Sequence, residues 1–331
     1  MRKNKTVVSC LTDDLRKAIL PFTKINPWVG LCRFFLLGTL LLSLVISAWI
    51  TDTVWLFCLG SFLAGFVYFL LLICIHDAAH YTLTRWKWFD EIAPRLVSYP
   101  MLWPYGVYQE LHFLHHCWNG LDLRDPERTE WTEYEYENAS RWMQWYVRHQ
   151  WWIDIFIVGG IGLIIKTFVR GVKLRQYRPR LLWKLKIDFF LIIVIQSIFL
   201  AVAFYFDVMT RYLLFWLIVE RTVGFFMQIR EHLEHDQMWI QKDNHQLTQL
   251  YAARNILVPN WVQWLMGGLP YHGVHHAFPN IPFYYLPEAL EKIELVLKKY
   301  HYPPIKKNNG YVRTVWQLSQ HYSLISKEKT V

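Results

Sequence analysis

From Val54 to Ile75 the chain runs for 22 residues without a charge. A helix of that length spans roughly 33 Å, enough to cross the hydrocarbon core of a bilayer. A second apolar run, about 34–50, precedes it, with only Thr51, Asp52 and Thr53 between. The two predict a helical hairpin with a short outer turn. Two further runs, about 189–206 and 212–229, flank the short polar turn Asp207 to Arg211. Composition agrees with a membrane solution: 54% of the 331 residues are hydrophobic and only 18% are charged. The 18 Trp and 19 Tyr suit the membrane–water interface, where an apolar ring with a polar tip is favoured. The expected fold is all-α: an integral membrane protein with about four transmembrane helices and a cytoplasmic helical cap.

Net charge is +9. In so apolar a chain the positive-inside rule accounts for it, and no nucleic-acid motif competes. Arg2, Lys3, Lys5, Arg16, Lys17 and Lys24 make residues 1–33 a basic cytoplasmic arm, either a mobile tail or one that lies on anionic lipid. The first thirty residues carry no cleavable signal pattern. With the N-terminus inside, the hairpin returns to the cytoplasm at His76, and the second pair of spans returns near residue 230. The segment 152–168 is apolar, but seven basic residues follow it, from Arg170 to Lys186. Crossing there would strand them outside, so 152–168 reads as an interfacial or re-entrant helix. Glu220 and Arg221 interrupt the fourth run. They are either a functional intramembrane pair or headgroup-level charges. The membrane domain is placed at 34–290 and a C-terminal cytoplasmic cap at 291–331. Across that boundary Glu288 to Tyr300 reads as an amphipathic helix, with Leu290, Ile293 and Leu297 on one face. Trp261 and Trp264 look interfacial.

The polar segments carry the chemistry. Ten of the fourteen histidines fall in four short clusters: His76 and His80; His112, His115 and His116; His232 and His235; His272, His275 and His276. Residues three and four apart share a helix face, so each cluster is a two- or three-pronged claw. One such pair is unremarkable. Four clusters on one side of a membrane point to a metal centre, and ten imidazoles exceed what one tetrahedral ion takes. Imidazole suits Zn, Cu, Fe or Ni, so ligand type leaves the metal open. The five cysteines form no CxxC pair, which removes thiolate ligation and a disulfide framework. His149, His245, His301 and His321 stand alone and read as ordinary residues.

HDAAH at 76–80, HFLHH at 112–116 and YHGVHH at 271–276 resemble the three histidine boxes of the membrane fatty acid desaturase superfamily, whose relatives include carotenoid hydroxylases. The continuation from His275 through Pro279, Ile281, Pro282 and Leu286 to Pro287 is similar to that family's third box. Asp125-Pro126 after the second box and Glu234-His235 after the last span match as well. The resemblance covers roughly residues 55–290. It implies two non-haem irons, dioxygen as co-substrate and two electrons from a separate donor of the ferredoxin or cytochrome b5 type. The implied ligands are His76, His80, His112, His115, His116, His235, His272, His275 and His276, with His232 as a tenth. Asp77, Asp125 and Glu234 are candidates to orient the rings.

The expected activity is an O2-dependent oxidoreductase of lipid metabolism that introduces a double bond into a fatty acyl chain drawn from the bilayer. The same iron site in a carotenoid-type hydroxylase would add a hydroxyl instead. A reading of another class is a non-enzymatic, His-rich membrane protein that binds metal or haem.

Overall fold

The computed structural model describes residues 5–326. Arg2 and Lys3 of the expected arm, and the end of the expected cap, lie outside the described residues. The chain is mostly helical and divides into two compact units interleaved in sequence. One comprises Pro27–Phe113 and Trp152–Ile229. The other comprises residues 1–26, Leu114–Trp151 and Arg230–Val331.

The first unit carries the apolar helices. Pro27–Ile50 and Val54–Ala79 form the expected hairpin through Thr51–Thr53. Arg211 donates to the carbonyl of Ala48, in the last turn of the first helix where carbonyls lack intrahelical partners, and to that of Thr51 in the turn. At the other end of the hairpin Trp28 meets Trp86 edge-on at 5.7 Å, and Trp86 stacks on Trp88. Exposed indoles clustered there mark a bilayer interface. That is the end from which His76 and His80 emerge.

Among the described residues five helices have the length and composition to cross a membrane: Pro27–Ile50, Val54–Ala79, Arg141–Lys173, Arg180–Tyr205 and Met209–His235. The third is the expected interfacial segment 152–168 extended at both ends. It is not regular. A π-turn at Asp154–Val158 interrupts it, and Gly159 takes a φ of 56°. An interrupted ladder in an apolar setting leaves backbone groups that water cannot reach. Side chains of Met209–His235 supply them. Arg221 donates to the carbonyl of Ile157 at 2.8 Å, Gln228 donates to that of Gly159 at 2.9 Å, and Glu220 accepts from the amide of Ile161 at 2.7 Å. The charged pair therefore holds a broken helix.

A buried carboxylate also fixes the helix of the second box, Tyr105–Trp118. Asp188 on Arg180–Tyr205 accepts from the Tyr99 hydroxyl at 2.6 Å and from the Val107 amide at 2.8 Å, near that helix's N-terminus. An acceptor there satisfies an amide that has no partner within the helix and complements the helix dipole. One turn on, Glu110 takes ion pairs from Arg178 and Lys184.

In the second unit the N-terminal segment is a helix, Lys5–Ile19, and not a mobile tail. Leu11, Leu15 and Ile19 recur every four residues and are buried against the amphipathic helix Leu286–Lys299, whose Leu290, Ile293 and Leu297 face them. Two short parallel ladders depart from the all-α expectation. Trp131–Thr132 pairs with Leu324–Ile325, and Asn255–Leu257 pairs with Lys307–Asn309. Two- and three-residue strands leave no periodicity in the sequence to read.

Gly224 tests the packing at the broken helix. A Cβ there would stand 2.0 Å from the Gly160 nitrogen, whereas one at Gly38 would meet nothing within 4 Å. Gly224→Val is expected to destabilise the protein by about 1–3 kcal/mol through overpacking. Gly38→Ala is expected to stabilise by about 0.5–1 kcal/mol through helix propensity. Thermal unfolding in one detergent compares the two variants directly.

Candidate metal centre

Four imidazoles of the second unit converge. His115 lies near the end of Tyr105–Trp118, His235 ends Met209–His235, and His272 and His276 lie on the short helix His272–Ala277. Their ligand atoms all lie within 4.8 Å of one another, and all four residues are buried. The Nε2 atoms of His115 and His235, of His235 and His272, and of His272 and His276 are each 3.1 Å apart.

The opposite nitrogens are held from outside. His115 Nδ1 donates to the Asp125 carboxylate at 2.8 and 3.0 Å. His276 Nδ1 donates to Gln249 Oε1 at 2.9 Å, and His235 Nδ1 faces the Ala252 carbonyl at 3.5 Å. A ring that donates from Nδ1 keeps a lone pair on Nε2. Lone pairs aimed at one another from 3.1 Å repel unless a proton or a cation stands among them. The spacing also fits a metal: for bonds of about 2.1 Å, neighbouring nitrogens lie about 3.0 Å apart in octahedral and about 3.4 Å apart in tetrahedral coordination.

The electrostatics point the same way. Glu234 Oε2 lies 3.3 Å from His272 Nε2, and Glu127 Oε2 lies 3.9 Å from His115 Nε2. Burial works to lower the pKa of His115, but Asp125 and Glu127 outweigh it and bring it up to about 9. Burial, and then neighbouring imidazoles, push His272 and His276 well below the ordinary histidine value. One positive charge is favoured in this cluster and further protons are not. The donor set fits a divalent cation.

Gly273 explains the spacing of the third box. A Cβ there would sit 2.6 Å from Asn255 Nδ2 and 2.7 Å from the Leu250 carbonyl, so only glycine lets this turn seat its three histidines. His275 and His116 adjoin the four. The His116 ring stacks on His276 at 4.2 Å and meets His275 edge-on at 5.0 Å.

The first unit gathers its own three. His76, His80 and His112 form a triangle with ring centroids 4.8 to 5.2 Å apart. Tyr108 stacks on His112 at 5.2 Å.

The three acids sort differently. Asp125 orients a ring. Glu234, paired to Arg230 at 2.8 Å, approaches the Nε2 side of His272. Asp77 lies 3.5 Å from Arg33 and 3.6 Å from His76 Nδ1. His232 is set apart. It stacks on Trp151 at 4.9 Å and belongs to no converging set among the described residues. The Trp151 indole donates to Asp236.

Gln249, Glu127 and Arg33 were not legible as site residues. Glu127 sits two residues past Asp125, a signal in retrospect. Gln249 carries none, because only the packing of His245–Tyr251 beside His272–Ala277 brings it to His276.

Helices able to cross a membrane, carrying buried polyhistidine clusters at their ends, define a membrane metalloprotein. A family model for fatty acid desaturase matches residues 53–308, and the chain belongs to that family. It is accordingly an oxidoreductase of the membrane. It is 23% identical over 303 residues to an sn-1 oleoyl-lipid 12-desaturase of Picosynechococcus sp., covering 88% of this chain and 83% of the relative. It is 22% identical to the enzyme of that name from Arthrospira platensis (83% and 77% covered) and 25% identical to a fatty acid desaturase of Bacillus subtilis (73% and 67% covered).

Two substitutions separate orienting contacts from neighbours. Asp125→Asn is expected to lower metal affinity about 10–100-fold by releasing the His115 ring. His232→Phe keeps the stack on Trp151 and is expected to leave metal content unchanged. Metal analysis after competition with a chelator reads both.

Proposed function

We propose that this protein is an O2-dependent fatty acyl desaturase that holds two non-haem irons and takes its acyl substrate from the bilayer. The observation that carries the reading is the cluster of four Nε2 atoms, with the His115, His235 and His276 rings facing acceptors through Nδ1, in a chain of the desaturase family. His115, His235, His272 and His276 are one ligand set. His76, His80, His112, His116 and His275 are the remaining proposed ligands. His232 is left out, since Trp151 and not the cluster holds it. The names of the Picosynechococcus and Arthrospira relatives favour an acyl chain carried on a lipid.

Iron bound there would supply the dioxygen-dependent oxidation that an unactivated C–H bond requires and that no side chain provides. The protein's part is positional. Asp125 and Gln249 fix ring planes, Glu127 and Glu234 lend negative charge, and burial keeps bulk water away. The electrons come from a separate donor of the ferredoxin or cytochrome b5 type. Lys184 is a poor docking cation for it, being paired inside with Glu110 and Gln109. Exposed Lys186 remains a candidate.

We place both termini and the histidine boxes on the cytoplasmic side. His115 and His235 meet at 3.1 Å, so the chain between them returns to its starting side and crosses an even number of times. Three apolar helices lie between them. Arg141–Lys173, broken at its π-turn and followed by the basic run to Lys186, is the one we read as not crossing. That leaves four spans, near 34–50, 54–75, 189–206 and 212–229, with the domain limits at 34–290 and 291–331. Cysteines placed at Arg124 and Arg175 are expected to react with an impermeant thiol reagent from one side of oriented vesicles. A cysteine at Asp207 is expected to react from the other. Opposite-side labelling of Arg124→Cys and Arg175→Cys would overturn the topology.

Mass spectrometry of lipids from a host expressing the protein tests the activity. Wild type is expected to add a double bond that the His275→Ala variant does not. An added hydroxyl would instead identify a hydroxylase, the outcome that HDAAH and Asp125-Pro126 also allow. Full activity in His275→Ala would sink the proposal.

A further inference from the structure

The second unit exposes an apolar surface that the metal centre does not use. Leu257, Trp261 and Trp264 are exposed, as are Val312 and Trp316, with Val312 at 85% and Trp316 at 63%. The two groups are far apart in sequence, and the Asn255–Leu257 and Lys307–Asn309 ladder joins them. The strands are parallel, with Leu257 opposite Asn309, so both chains leave the same end of the ladder. Three residues beyond one strand begins the helix Asn260–Leu265, and two beyond the other begins Tyr311–Ser319.

In Tyr311–Ser319 the packing is done by the opposite face. Thr314 and Leu318 are buried, which leaves Val312, Arg313, Trp316 and Gln317 outward. In Asn260–Leu265 the buried Gln263 donates to the Phe283 carbonyl and fixes that turn, while Trp261 stays 68% exposed. Neither 255–265 nor 306–319 contains an acidic residue, and Lys306 and Arg313 are exposed cations beside the indoles. Lys307 is excluded, since Glu294 pairs with it at 2.8 Å.

We propose that this paired surface is a lipid-headgroup anchor by which the second unit rests on a bilayer with anionic lipid. Indoles prefer the interface, where the ring is apolar and its N–H stays hydrated. Cations beside them draw anionic headgroups. A water-facing surface gains nothing from Val312 and Trp316 one helical turn apart, and clustered exposed apolar side chains mark an interaction site. A bilayer is the occupant, because the protein itself lies in a membrane and this surface is never far from one. The anchor would make seating on the membrane a property of the unit that holds His115, His235, His272 and His276, independent of the spans.

The test is photolabelling of the full chain in nanodiscs holding one copy each. The lipid is phosphatidylcholine with or without phosphatidylglycerol, doped with phospholipid bearing a diazirine near the headgroup. Labelled residues are mapped by peptide mass spectrometry. Segments 257–265 and 311–319 are expected to label several-fold above the polar segment 241–246, and more strongly with phosphatidylglycerol present. Val312→Asp with Trp316→Asp is expected to abolish labelling of 311–319 while labelling of Arg180–Tyr205 persists, which shows that the variant remains folded in the disc. Labelling no higher than at 241–246 would overturn the proposal. So would cross-linking of this surface to a second copy in larger vesicles without lipid labelling.

Discussion

Four imidazole lone pairs held 3.1 Å apart are the constraint on which the rest of the second unit depends. Left to themselves the rings would turn away or take up protons. His115, His235 and His276 have acceptors at their outer nitrogens, and burial and the missing side chain at Gly273 hold the set together. His115 and His235 stand 120 residues apart in the chain. The entropy of closing so long a loop grows only slowly with its length, so the cost is met once, by the contacts around the rings. Burial makes additional protons expensive, while Asp125 and Glu127 favour one positive charge, which is the asymmetry a metal site requires.

The first unit answers a different demand. In hydrocarbon every backbone donor and acceptor has to be satisfied by protein. Most of the unit meets this with regular helices, but the π-turn at Asp154–Val158 does not. Arg221, Gln228 and Glu220 close the gap, and Gly224 lets the two backbones approach near Gly160. A charged pair in an apolar helix suggests a reaction. Here its partners are carbonyls and an amide, and the charges make a break in a helix tolerable.

Much of this was legible in advance because the relevant signals are local. Long uncharged runs announce membrane helices, and i, i+3 and i+4 spacing announces which histidines act together. The stripe Leu290, Ile293 and Leu297 announced a buried helix face. The N-terminal helix was missed because six basic residues outweighed the weaker four-residue repeat of Leu11, Leu15 and Ile19. Glu127 and Gln249 were missed for another reason: neither has a pattern, and each acquires its role only from what packs beside it.

By itself the sequence determined the membrane class and the family, since hydropathy and motif spacing are properties of short stretches. Tertiary structure decided which nitrogens meet and which acids hold them. It also stacks His232 on Trp151, while His235 meets His115 and His272. His232 and His235 have equal claims by spacing, three residues apart on one helix. What separates them is a helix end: His235 is the last residue of its helix, facing His115 and His272, while His232 lies a turn back against an indole. Contacts between residues 37 to 120 positions apart draw that distinction, and no local pattern records them.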